Sequence, residues 1–86
     1  MRFEGAVIKE QGVSFAVVVV KPHVVNMPSE ARKTIAGFMP VFPGMPVVLM
    51  AQDARGTPTY FGRPDIAKFL ANVPVASIPW REYTVN

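Results

Sequence analysis

Apolar positions in the first twenty residues form two runs. Residues 3–8 are mostly β-formers, the polar stretch KEQG follows, and residues 13–20 are apolar apart from Ser14. Two such runs about a short polar turn holding Gly12 predict a β-hairpin. In the second run Val13, Phe15, Val17 and Val19 fall on one side, and Ser14, Ala16, Val18 and Val20 on the other. Both sides are thus apolar, the pattern of an interior strand covered on two faces. Pro22 offers no N–H to a ladder and is expected to end the pairing or mark an edge.

The period then changes. In NMPSEARKTIAGFMP, Ala31, Ile35, Phe38 and Met39 are expected to form one buried helical stripe, with Arg32 and Lys33 on the other side. Asn26 or Ser29 is expected to cap this helix, Pro28 suits its first turn, and Glu30 complements its positive end. The helix should end at Pro40, because the following PVFPGMP forbids helix and ladder alike and reads as a rigid loop. A second interior strand is expected at VVLMAQ, a turn at DARG with Gly56 at positive φ, and a returning arm at TPTYF. RPDIAKFLAN is a second helix: Ile66, Phe69, Leu70 and Val73 share a face, Pro64 opens it, Asp65 complements its dipole, and Asn72 can adopt the left-handed cap. Beyond it VASIPWREYTV favours strand but is broken by Pro79, so the part after Trp80 is expected to be an edge strand or ordered tail.

The resulting order, ββαββα(β), describes a single α+β domain over residues 1–86, with two short helices and a mostly antiparallel, twisted sheet. From Val13 onward the element order is similar to the thioredoxin-like arrangement, with Pro46 before a strand. The paired cysteines of that family's redox chemistry are absent. The likeness implies no function.

Composition sharpens this picture. Half of the 86 residues are hydrophobic and 17% are charged, below the ~25% usual for globular proteins. A domain of this size buries only about 60% of the surface of its unfolded chain, so the apolar excess points to a partner and first of all to a homodimer. The absence of cysteine removes disulfides, thiolate metal sites and cysteine nucleophiles. Glu4, Lys9 and Glu10 interrupt the apolar start, which does not read as a signal peptide. The longest apolar run is far short of the ~20 residues that span a bilayer, so a cytoplasmic protein away from membranes is expected. Nine Lys and Arg against six Asp and Glu give a net charge of +3. Those basic residues are scattered, and useful nucleic-acid binding at physiological salt is not expected.

Candidate chemistry is sparse. The stretch GTPTYFGRPDI resembles a phosphate loop only in holding two glycines: Pro64 removes an N–H and Asp65 puts a carboxylate where the anion would sit. It reads mainly as helix-opening grammar, leaving Arg63 beside Tyr60 or Phe61 as a holder of an acidic or planar ligand. His23, the only histidine, sits at the expected strand end with no evident partner to make it a base. Ser14, Ser29 and Ser77 lack a nucleophile-elbow context, and no spacing suggests a metal site. In IPWREYTV, Trp80 and Tyr83 beside Arg81 are residue types of interface hot spots and of single-strand stacking platforms, although a Trp is more often built into a core.

No catalytic, cofactor or metal residues are assigned. The candidate contacts are Tyr60, Arg63, Trp80, Arg81 and His23. The leading expectation is a non-enzymatic, homodimeric protein-interaction module without a cofactor. Its rivals are weak binding of nucleic acid or an anionic ligand through a basic and aromatic surface, and a small-molecule pocket at a dimer seam.

Overall fold

Val17 and Val18 are adjacent in the chain and both are wholly buried, one in each of two separate cores. The alternation of side chains along a strand produces this arrangement in the computed structural model, which describes residues 1–10 and 12–86. The chain runs β1 (Arg2–Glu10), β2 (Val13–Val19), α1 (Pro22–Val25), α2 (Pro28–Phe38), β3 (Val47–Gln52), β4 (Pro58–Phe61), α3 (Pro64–Leu70), a 3-10 turn (Val75–Ser77) and β5 (Arg81–Thr84). One mixed sheet has the order β4-β3-β2-β1-β5. β2 and β3 are parallel, and the other pairings are antiparallel. The fold is α+β, as the pattern of elements predicts. A parallel pair needs a long crossover, here α1, α2 and the proline loop.

The first core joins Ala6, Phe15, Val17, Val48 and Met50 of the sheet to Ile66 and Leu70 of α3 and to Ile78. On the opposite face Ala16, Val18, Leu49 and Ala51 meet Val25 of α1, Ala31 of α2 and Phe42 of the proline loop. The valine strand therefore lies between two layers, as its two-sided pattern requires. Each such buried Val or Leu contributes about 1.5–3 kcal/mol relative to exposure.

Local turn chemistry explains the β3–β4 hairpin. Asp53 Oδ1 accepts bonds from the N–H groups of Arg55 (2.8 Å) and Thr57 (2.9 Å), Gly56 takes φ 82°, and Gln52 Nε2 donates to the Gly56 carbonyl at 2.8 Å. In α3, Pro64 opens the helix, Asp65 lies in its first turn, and Ile66 and Leu70 are buried. Asn72 Nδ2 donates to the Lys68 carbonyl at 3.1 Å and so serves the helix end with its side chain.

Several expectations are corrected. β2 ends at Val19, and Pro22 opens the extra helix α1 instead of marking an edge. Its fixed φ suits a first helical position, where no N–H is needed. His23 accordingly lies on a helix, not at a strand end. At α2, neither Asn26 nor Ser29 is the cap: Met27 holds that position without a side-chain bond, and Pro28 starts the helix. Met39 does not continue the buried stripe; it is 55% exposed at the C-cap. The chain turns there, with the Val41 N–H bonded to the Phe38 carbonyl, and Phe42 enters the core. The Gln11 position of the expected β1–β2 turn lies outside the described residues.

Candidate functional site

Arg63 owes its position to the two residues around it. Gly62 has φ 155°, and a Cβ there would stand 3.0 Å from Val48 Cγ2 and 3.3 Å from the Val47 carbonyl oxygen. Only glycine lets the chain pass so close to β3 in this conformation. Pro64 then biases Arg63 to extended backbone, observed at ψ 124°. The guanidinium forks onto Asp65, with Nε to Oδ1 and Nη2 to Oδ2 both 2.8 Å. The hydrogen bond from Arg63 holds the Asp65 carboxyl below its usual range, and the same bond raises the Arg63 pKa. Both side chains remain exposed, so the pair adds little to stability. It leaves Arg63 Nη1 unengaged among the described residues.

Arg63 borders two grooves. The smaller, about 250 Å³, runs past Val13 and Phe15 of β2 and Ile66 and Phe69 of α3, with Glu10 and Asp65 at its margin. The larger, about 500 Å³, lies on the opposite face of the sheet. Its walls are Ile35 of α2 and Met39 at its C-cap, Met45, Pro46 and Val47 at the entry to β3, and Phe61 and Gly62 at the end of β4. Arg32 and Arg63 are its charged side chains, and Arg32 has no ion-pair partner among the described residues.

The other candidates are dispersed. Tyr60 points to the α3 side of the sheet, so Phe61, not Tyr60, shares the larger groove with Arg63. Its hydroxyl oxygen is buried with no hydrogen-bond partner among the described residues, and burial raises its pKa. Trp80 is half-buried against the first core, and its Nε1 donates to the Val75 carbonyl at 2.9 Å. Arg81 is exposed at the start of β5, opposite Gly5. His23 is exposed on α1. Among the described residues no group of three or more His, Asp or Glu is suited to a metal, and no helix is long and apolar enough to cross a membrane.

The two sheet edges differ in what they offer. Antiparallel ladders alternate between residues bonded inward and residues facing outward. Asp53 N–H bonds the Thr57 carbonyl, so along β4 the outward residues are Pro58 and Tyr60. Pro58 has no N–H, and this edge is blunted. Met1 and Val85 exchange both backbone bonds, at 2.7 and 2.8 Å, so Phe3–Tyr83 and Gly5–Arg81 are the bonded pairs of the β1–β5 ladder. Glu82 and Thr84 therefore turn their N–H and carbonyl groups outward, with no proline in β5. Above this edge, Phe3, Phe38, Phe42 and Tyr83 form an aromatic cluster with ring centroids 4.8–6.0 Å apart.

Arg32 and Ile35 of α2 and Met39 at its C-cap fall at i, i+3 and i+7, a spacing that places them on one side of a helix. Arg32 is thus not on the far side of the helix from Met39, and Met39 lines the groove instead of the core. That spacing was the available signal for the groove.

No family model, no curated protein and no solved structure matches this chain. The thioredoxin-like likeness stays one of element order.

Proposed function

We propose that the chain is a non-enzymatic, cytoplasmic protein-interaction module that works as a homodimer, two copies joined along β5 into one continuous sheet. The asymmetry of the edges carries this reading: β4 is blunted by Pro58, whereas β5 presents the paired donors and acceptors of Glu82 and Thr84. An open edge is a template for another strand. A two-fold axis at Tyr83 sets Glu82 of each copy against Thr84 of the other and engages every outward group of both residues. The neighbouring register, centred on Glu82, would oppose like charges. In the favoured register the Phe3–Tyr83 stack continues into its copy across the seam, adding aromatic contact to the backbone bonds. Arg2, bonded to Glu82 at 2.6 Å, reduces the charge at the junction.

Sedimentation velocity over a concentration series tests the proposal. Thr84→Pro removes only an outward N–H, and edge strands accommodate proline. The wild type is expected to associate, and the variant to sediment as a folded monomer. A wild type that stays monomeric at tens of micromolar, or a dimer indifferent to Thr84→Pro, contradicts it.

A further inference from the structure

The groove between α2 and the end of β4 joins an apolar floor to two guanidinium groups. Its volume, about 500 Å³, lies within the ~300–1,000 Å³ range of small-molecule sites. Met39, 55% exposed, and Met45, half-buried, both line it. Thioether side chains adapt to the shape of an apolar guest. Both charged side chains of the lining are arginines. Arg32 has its full set of donors open among the described residues, and Arg63 keeps Nη1 beyond its fork to Asp65.

We infer that this groove binds an amphipathic carboxylate, a small acid whose carboxylate lies between Arg32 and Arg63 and whose apolar body covers Met39 and Met45. Planar, two-oxygen acceptors match guanidinium forks, and Arg63 already makes such a fork with Asp65. Asp65 also sets the charge of the guest. Its carboxylate beside Arg63 opposes a doubly charged group more strongly than a singly charged one, which favours a carboxylate over a phosphate monoester. The site is independent of dimer formation, since β4 and β5 are opposite edges of the sheet.

Sodium octanoate is the probe, added below its micelle threshold to protein labelled at the methionine methyls. The methyl resonances of Met39 and Met45 should shift to saturation, while those of buried Met50 and of Met27, at the other end of α2, stay in place. Arg32→Gln, at an exposed site, should weaken binding roughly tenfold through loss of a charge-assisted contact. Asp65→Asn should tighten it by releasing Arg63, and octanol should bind at least several-fold more weakly than octanoate. Circular dichroism establishes that both variants are folded. The inference is overturned by equal binding of octanol and octanoate, by an Arg32→Gln affinity equal to wild type, or by the absence of saturable shifts at Met39 and Met45.

Discussion

The rings of Phe3 and Tyr83 stack 5.1 Å apart and within 7° of parallel, and both lie over Gly5. A Cβ on Gly5 would meet the Phe3 ring at 3.4 Å and the Tyr83 ring at 3.5 Å. Glycine weakens a strand interior because it has no side chain to pack; here the neighbouring aromatics fill the space. Phe42, arriving from the proline loop, meets the Tyr83 ring edge-on at 5.4 Å. The same cluster thus fixes β5 to β1 and anchors the loop.

Gly5→Ala tests this packing. Its Cβ would stand 2.8 Å from the Val17 carbonyl oxygen, a backbone atom held in the central strand. The expected cost is about 1–3 kcal/mol, typical of overpacking, read from urea unfolding. An unchanged midpoint would show that β1 and β2 separate freely at this point.

Val17→Asp and Val18→Asp should each prevent stable folding, although their side chains enter different cores. Neither site offers water or a partner to a carboxylate, and burying an unpaired charge costs several kcal/mol even after relaxation. Circular dichroism and proteolysis of the soluble fraction report the outcome. A folded variant at either position would mean that the corresponding layer lifts from the sheet.

Tyr60→Phe should leave stability unchanged or raise it by up to about 1 kcal/mol, because among the described residues the buried hydroxyl makes no bond that would be lost. The raised pKa adds a pH signature. Below the ordinary tyrosine value of 10.0 folded and unfolded chains both keep the phenolic proton. Above it the unfolded chain releases that proton first, so wild-type stability falls as pH rises until folded Tyr60 also ionises. Urea midpoints measured from neutral pH upward should show a shallower alkaline decline for Tyr60→Phe. A destabilised variant with an undiminished decline would place an unseen partner on the hydroxyl.

What could be read directly from the residues is what depends on near neighbours. Asp53 and Gly56 close a hairpin within five positions, and Pro64 with Asp65 opens α3, so their chemistry is complete in the local sequence. The two-faced apolar pattern of β2 likewise announces a covered strand. Phe42 was hidden because a proline-rich loop has no period, and its burial is decided by Phe3 and Tyr83, far away in the chain. Met39 was misplaced because helical spacing does not reveal where the next segment turns away. The residues around Arg63 mark it as a candidate contact, but its groove requires α2 and β4 to meet on one face, which only the parallel β2–β3 pairing determines. The contrast between the edges needed ladder register as well as the position of Pro58.

The proposed pairing of two copies through β5 is tested most directly by an isotope-filtered NOE experiment on an equal mixture of labelled and unlabelled protein. In an antiparallel ladder centred on Tyr83, the two Tyr83 residues form a non-hydrogen-bonded pair with Cα atoms about 4.5 Å apart, close enough for a strong Hα–Hα contact between chains. The expected result is that intermolecular cross-peak, together with slow amide exchange at Glu82 and Thr84. A dimer lacking the Tyr83 cross-peak, with fast exchange at both amides, would contradict the account.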